Sequence, residues 1–177
     1  MTYKVIRSRR RTISLCWKPD GTLEVRCPWG MSDGQVAEFV AGKQAWIEKH
    51  RPTEVPQPLT AGEDQYLRQK AKTVFPGRVA FFASVIGVSY GKITVRGQKT
   101  RWGSCSAGGN LNFNYLLLLA PPEMLDYVVI HELCHRKEMN HSERFWRLVQ
   151  THCPNYQACR KWLKVHGRQL LSRLPNP

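Results

Sequence analysis

The sequence predicts a mixed α+β fold in which a small N-terminal subdomain, made of a β-hairpin and a helix, precedes a larger domain. Apolar and polar residues alternate on both sides of the segment KPDGT, as they do in two strands joined by a turn. Further along the chain, apolar residues recur at helical spacing in several long segments. Between these regions, RPTEVPQPLTAG carries three prolines, which is typical of an extended connector. We therefore expect two domains, residues 1–55 and residues 56–177.

The N-terminal subdomain is expected to begin with strands. The Pro-Asp-Gly sequence at 19–21 supplies residues that favour a tight turn. The flanking alternation then predicts a hairpin with strands near residues 11–18 and 22–27. A further strand is expected before the hairpin, near residues 3–7.

Two helices are predicted next. MSDGQVAEFVAGKQAWIEKHR has helical apolar spacing and offers Ser32 or Asp33 as the N-cap. A second helix is expected at about residues 62–86, interrupted or kinked at Pro76-Gly77, because proline lacks the amide hydrogen and clashes with the preceding turn.

The last part of the chain is expected to contain two strands and three helices. KITVRGQKTRWGSCSAGGNLNFNYLLLL predicts two strands around the glycine-rich turn at 107–109. APPEMLDYVVIHELCHRKEM predicts a helix, because proline suits the first helical turn and acids follow it there. SERFWRLVQTHC and YQACRKWLKVHGRQLL predict two final helices, separated by Pro154.

Composition excludes several classes of protein. No run of about 18 apolar residues is present, so we expect no membrane-spanning helix. The N-terminus lacks the apolar region and cleavage site of a signal peptide, and we expect a cytoplasmic protein. The six cysteines are irregularly spaced and form no CxxC pair, which predicts free thiols.

The chain is strongly basic. Lys and Arg number 27 against 13 acidic residues, a formal net charge of +14. Such an excess is typical of a surface that binds nucleic acid or another polyanion, and equally of a surface that keeps a protein in solution. If a strand runs through RSRRR, its period of two would align Arg7, Arg9 and Arg11 on one face. Nucleic acid is therefore a possible partner.

The segment VVIHELCHRKEMNHSERFW indicates a metal site. His131 and His135 are four residues apart, which places them on one face of a helix where both imidazoles can reach one ion. Glu132 is rotated by about 100° and can hydrogen-bond a water on the metal without ligating the metal itself. Cys134 points away from the direction that the histidines share, so it is not expected to be a ligand.

His141 is the candidate for a third ligand. On a continuous helix it would lie about 9 Å beyond His135 along the axis, too far to join the site. The helix must therefore end before it. Asn140 tolerates the left-handed conformation that ends helices, and Ser142 can cap the next one.

The segment TRWGSCSAGGNLNFNYLLLLAPPEMLDYVVIHELCHRKEMNHSERFW resembles the YgjP-like metallopeptidase domain, a zincin family related to the WLM and SprT metalloproteases. RSRRRTISLCWKPDGTLEVRCPWGMSDGQVAEFVAGKQAWIEKH resembles the leading segment of the same family. The resemblance implies a zincin-like catalytic core in which His131, His135 and His141 bind zinc and Glu132 is the general base. It also implies that Leu111 to Leu117, the strand before the motif helix, borders the cleft.

The function expected on these grounds is a zinc-dependent metallopeptidase acting on protein or peptide substrates. A zinc-bound water would attack the peptide carbonyl after Glu132 accepts its proton. A second group usually stabilises the oxyanion, and four residues are of a suitable type: Arg101, Asn112, Asn114 and Tyr156. Two alternatives remain, a metal-dependent hydrolase of nucleotides or other phosphate compounds, and a nucleic-acid-associated protein with a zinc site.

Overall fold

Two three-stranded sheets, six α-helices and one short 3₁₀ helix occur in the residues that the computed structural model describes, 2–18, 20–52 and 56–175. This combination confirms the predicted α+β class. The chain divides into two units, Met1–Gln57 and Pro58–Pro177. Pro19 of the predicted turn and residues 53–55 of the predicted connector lie outside the described residues. The assignment of residues 1–55 and 56–177 as separate domains stays a prediction.

The N-terminal unit contains three strands and two helices: β1 Lys4–Ser8, β2 Ser14–Trp17, β3 Leu23–Pro28, α1 Asp33–Ala41 and α2 Gln44–Lys49. β2 and β3 pair antiparallel, which confirms the hairpin, and β1 pairs parallel to β3 on its other edge. The helices and the sheet share a small apolar core that includes Val25, Val36 and Ile47. The Trp17 indole N–H donates to the Ile47 carbonyl at 3.0 Å and links the hairpin to α2.

The prediction of a single helix in the N-terminal unit is wrong, because the segment forms two helices, α1 and α2. Ser32 caps α1 with its hydroxyl, and the Gln35 side chain accepts from the Ser32 amide at 2.9 Å, so both ends of a capping box are present. Gly42, a poor helix former, ends α1, and its amide donates to the carbonyl of Glu38.

The predicted row of Arg7, Arg9 and Arg11 is also wrong, because β1 ends at Ser8. Arg7 is on the strand, but its guanidinium donates to the Met31 carbonyl at 3.3 Å and pairs with Asp33 at the start of α1. The arginine is used to hold the sheet to α1, so it is not part of a free basic face.

The C-terminal unit contains a sheet, a 3₁₀ helix and four α-helices. Its elements are α3 Ala61–Ile86, β4 Ile93–Arg96, β5 Gly103–Cys105, β6 Leu111–Asn114, the 3₁₀ helix Tyr115–Leu119, α4 Pro122–Cys134, α5 Glu143–His152 and α6 Tyr156–Leu171. The strand order is β4-β6-β5, so β6 lies in the middle, parallel to β4 and antiparallel to β5. The sequence predicted two strands here, and three are present. None of the helices in the described residues is both long enough and apolar enough to span a bilayer.

The long helix α3 is continuous through Pro76, so the predicted interruption is wrong. Its core face carries an uninterrupted row at four-residue spacing that is almost fully buried: Leu67, Ala71, Phe75, Val79 and Ala83. Phe75 stacks on Phe113 of β6 with ring centroids 4.9 Å apart. Proline inside a helix costs about 3 kcal/mol. Burying several apolar side chains at about 1.5–3 kcal/mol each more than offsets that cost.

The beginning and the end of the C-terminal unit are joined. The Leu59 amide, just before α3, donates to the Arg173 carbonyl, just after α6, at 2.8 Å. Leu174 is buried in the core of the unit beside Gly97. The segment that follows α6 therefore belongs to the packed structure of this unit.

A polar cluster links α3 to the 3₁₀ helix. The hydroxyl of the fully buried Tyr115 donates to the Asp64 carboxylate, and Arg68 donates to the same carboxylate at 2.6 Å. The Arg68 guanidinium also lies over the Tyr115 ring, 4.6 Å from its centroid. Burial raises the pKa of Tyr115 to about 12, and its hydrogen bond to Asp64 adds to the effect. For Asp64, burial favours the neutral acid, but hydrogen bonds from Arg68 and Tyr115 outweigh it and lower the pKa.

Replacing Tyr115 by Phe should destabilise the protein by roughly 1.5–3 kcal/mol, because the buried ring stays while a hydrogen bond to a charged group is lost. Because the native pKa of Asp64 is lowered from 3.8, this stabilisation is complete above that value and is lost as the pH falls through the native pKa. Chemical unfolding at pH 7 and at several lower pH values measures both effects. Tyr66→Phe, at an exposed position of the same helix, is the control. A difference between Tyr115→Phe and wild type that did not shrink in acid would contradict the role of Asp64.

Candidate metal centre

α4 carries the first part of the metal motif, and neighbouring elements pack against it on several sides. It packs against α3, α5, α6 and β5, and its apolar residues Val129, Ile130 and Leu133 are almost inaccessible. His131 and Glu132 lie between these core residues, so the backbone that carries them is fixed by the core.

The helix ends earlier than the sequence predicted. Its last residue is Cys134, and His135 is the C-cap. No residue other than glycine has a positive φ in the described part of the chain, so the proposed left-handed Asn140 is wrong. Two basic side chains hold the turn after α4: Arg136 donates to the carbonyls of Ser89 and Ala107, and Lys137 donates to that of Ile86. Those contacts stop the helix before Asn140 is reached.

The chain reversal brings His141 back to α4. Ser142 caps α5, as predicted, by accepting from the Phe145 amide at 3.3 Å. His141 precedes this cap, and its Nε2 lies 3.0 Å from Nε2 of His131. His135 Nδ1 donates to the Glu138 carbonyl at 3.0 Å, which leaves its Nε2 free. One potential ligand atom from each of the three histidines lies within 4.8 Å of the others.

These three imidazoles fit a divalent metal of the zinc type. Burial, followed by the charges of His135, His141 and Arg160, lowers the pKa of His131 to about 3, and burial also lowers the pKa of His135. Both rings are therefore neutral at pH 7, as metal ligation requires. Three nitrogens that each bind one zinc ion at about 2.0–2.1 Å lie closer to one another than 4.8 Å. Rotation of the histidine side chains can bring them to that spacing. The cluster in the described residues offers three potential ligands, and Cys134 is not among them.

Glu132 is buried beside the histidines and touches β5. Only 6% of the residue is exposed, and a Cβ built on Gly103 would lie 2.7 Å from its Oε1. Burial raises the pKa of Glu132 to about 8, against the opposing positive charge of Arg101. A carboxyl group with a pKa near neutrality can both accept and release a proton in the working range of an enzyme.

A cavity of about 220 Å³ opens at this carboxyl group. Its walls come from β5 and the residue before it, from α4 and from α6: Trp102, Gly103, Tyr127, Glu132, Arg160 and Leu163. Leu111 to Leu117 were expected to border the cleft, and none of these residues lines this cavity, so the expectation stays a prediction. β6 is the central strand and its apolar residues lie in the core, whereas the edge strand β5 faces the cavity.

The four sequence candidates for an oxyanion donor differ in their surroundings. The Asn114 amide donates to the carbonyls of Gln98 and Arg101, so it holds the loop before β5. The Asn112 side-chain amide donates to the Ser104 hydroxyl on the neighbouring strand at 3.4 Å. The Tyr156 ring stacks on the ring of Trp146. Arg101 is exposed and acts electrostatically on Glu132.

The cavity residues that were missed from the sequence include Tyr127 and Arg160. Tyr127 lies four residues before His131, so the spacing that pairs the histidines could also have placed it on the same helix face. Arg160 is on α6, far from the motif in sequence, and no local signal distinguishes it from the other basic residues of that helix.

One family model covers the part of the chain that contains this site. The YgjP-like metallopeptidase domain matches residues 53–166, which include all three histidines and Glu132. The chain belongs to this family. The YgjP-like match begins at residue 53, so the family resemblance of the N-terminal segment stays a prediction. Family membership supports a metal-dependent hydrolase of the peptidase class.

Two solved structures are similar to parts of this YgjP-like protein. The metallopeptidase zymogen abylysin of Pyrococcus abyssi is 22% identical with a TM-score of 0.44, over 52% of this chain and 96% of that chain. The metallopeptidase zymogen jannalysin of Methanocaldococcus jannaschii is 20% identical with a TM-score of 0.43, over 51% of this chain and 96% of that chain. No curated protein matches the chain.

Replacing His131, His135 or His141 by Ala should each lower the zinc content of the purified YgjP-like protein from about one ion per chain to a small fraction, because three nitrogens are needed to hold it. Metal analysis after dialysis against a fixed low concentration of zinc measures this. His166→Ala, on the exposed part of α6, is the control and should keep the ion. Full zinc content in His141→Ala would exclude His141 as a ligand.

Proposed function

We propose that this protein is a zinc-dependent peptidase in which His131, His135 and His141 hold the metal and Glu132 is the general base. The observation that carries the proposal is the placement of a buried carboxyl group at a cavity, directly beside three imidazoles whose nitrogens lie within 4.8 Å of one another. Membership of a metallopeptidase family supports the same reaction class.

The chemistry is divided between the metal and the protein. Zn²⁺ bound to the three imidazoles supplies Lewis-acid polarisation of a water molecule and of the peptide carbonyl. Glu132 accepts the proton of the attacking water at its carboxylate and passes it to the nitrogen of the leaving amine. Gly103 makes this possible, because any side chain there would occupy the space of the carboxyl group.

The other protein groups orient the site. The hydrogen bond from His135 Nδ1 to the Glu138 carbonyl fixes the ring and leaves Nε2 for the metal. Trp102 and Leu163 give the cavity apolar walls beside Glu132.

The donor set favours a catalytic site over a structural one. Structural zinc sites usually have four protein ligands, whereas catalytic sites have three and leave a position open. The cluster in the described residues has three ligands. Nucleic-acid binding through the basic surface stays a prediction from the charge balance.

Glu132→Gln should retain zinc and lose turnover of peptide substrates by a factor of about 10²–10⁴, because glutamine keeps the shape but cannot accept a proton. Peptide hydrolysis and metal content, measured on the same preparation, test this. Glu143→Gln, which changes an exposed glutamate at the start of α5, is the matched control. Simultaneous loss of zinc and activity would show that Glu132 is a ligand, and the mechanism would then be wrong.

Gly103→Ala should also lower turnover at least tenfold while zinc stays bound. The new methyl group would lie 2.7 Å from Glu132 Oε1, so the carboxyl group must move away from its place at the cavity. Small displacements of a catalytic group commonly cost about 10²-fold in rate. Gly108→Ala, where the methyl group would meet only Ser106 Oγ at 3.9 Å, is the control. Equal activity of the two variants would mean that the position of Glu132 is not critical.

A further inference from the structure

The cavity next to Glu132 has a size and a lining that suit one amino-acid side chain. Its volume of about 220 Å³ lies below the roughly 300–1,000 Å³ of pockets for small-molecule ligands. Trp102 and Leu163 provide apolar surface for the stem of a side chain. The ionisable residues that line the cavity include Glu132 on α4 and Arg160 on α6.

Arg160 is free to bind an anion. Its guanidinium carbon lies 4.8 Å from the centroid of the Trp146 ring, and the residue is exposed. No carboxylate among residues 2–18, 20–52 and 56–175 pairs with it, in contrast to Arg78, which holds Asp126 through two hydrogen bonds. Stacking on an aromatic ring uses the face of a guanidinium and leaves its N–H groups available at the edge.

The helix that carries Arg160 adds to the positive potential at the cavity. α6 contains four basic residues and no acidic residue, and all four are exposed: Arg160, Lys161, Lys164 and Arg168. A positive field of this kind concentrates anionic substrates near a cleft. Arg160 is the member of this group that lines the cavity.

We propose that Arg160 is a specificity residue that selects substrates with a carboxylate group in the cavity, adjacent to the bond to be cut. The carboxylate comes from an acidic side chain or from the C-terminus of the peptide, because a guanidinium binds both in the same bidentate way. The apolar walls accommodate the methylene groups that precede it. This inference rests on the proposed peptidase function and narrows its substrate class.

Matched peptides distinguish the two sources of the carboxylate. One set has a blocked, amidated C-terminus and carries Glu, Gln or Lys at each position flanking the scissile bond. A second set carries no acidic side chain and ends in either a free carboxylate or an amide. The wild type should cleave the best Glu peptide, or the free C-terminal peptide, at least about tenfold faster in kcat/KM than its neutral counterpart.

Charge reversal then tests the residue itself. Arg160→Glu should abolish the preference for the carboxylate and favour the Lys peptide, and Arg160→Lys should keep part of the original preference. Lys161→Glu is the matched control, because it makes the same change of net charge on the adjacent, exposed residue and should keep the wild-type preference. Zinc content and thermal unfolding confirm that each variant keeps its site. An equal loss of preference in the Arg160 and Lys161 charge reversals would assign the effect to the general field and overturn the proposal.

A binding measurement separates this inference from the proposed function. Fluorescence anisotropy of labelled Glu and Gln peptides on zinc-loaded Glu132→Gln protein should give an affinity ratio of about tenfold or more, which Arg160→Gln in the same background removes. If no peptide is cleaved but this ratio appears, the peptidase assignment fails and the role of Arg160 holds. Cleavage without any preference for a carboxylate overturns the role of Arg160 alone. A nucleotide phosphate that binds in an Arg160-dependent manner, while Glu and Gln peptides bind equally, overturns the acidic-peptide proposal.

Discussion

The burial of α4 is the constraint on which the site depends. Helices α3, α5 and α6 and strand β5 surround it, and the residues between His131 and Cys134 are almost entirely inaccessible to solvent. A helix in that position cannot rotate without opening the core, so the directions of His131 and Glu132 are fixed by the apolar packing around α4, including Phe145 of α5, whose ring centroid lies 4.9 Å from that of His131. The same packing removes water from both groups and accounts for their altered pKa values.

The position of the third histidine, His141, depends on a turn in the chain. His141 approaches His131 because the chain turns after Cys134 and Ser142 begins a new helix. Arg136 and Lys137 fix that turn by donating to carbonyl groups at the end of α3 and in the loops after α3 and β5. These two basic residues therefore have a structural role. Part of the positive charge of the chain belongs to side chains that donate hydrogen bonds to backbone carbonyls.

The sequence was most informative where a local rule decides the structure. The four-residue spacing of His131 and His135 and the capping serines Ser32 and Ser142 follow from helix geometry alone. The predictions were wrong where contacts between residues distant in sequence determine the structure. α3 continues through Pro76 because its buried face holds it, and α4 ends early because distant carbonyls hold the turn. Arg160 could not be found from the sequence, because its position at the cavity depends on how α6 packs against α4.

The hydrogen bond between Leu59 and Arg173 has a consequence for biosynthesis. The two partners are at opposite ends of the C-terminal unit in sequence, and Leu174 fills part of the core beside the loop that follows β4. During translation, α3 and the sheet therefore leave the ribosome well before the residues that complete their core. Such long-range contacts form late in folding, because closing the large loop between the two partners costs conformational entropy. The nascent unit consequently exposes apolar surface until its last helix has been made, and in that interval it is a potential client for a chaperone.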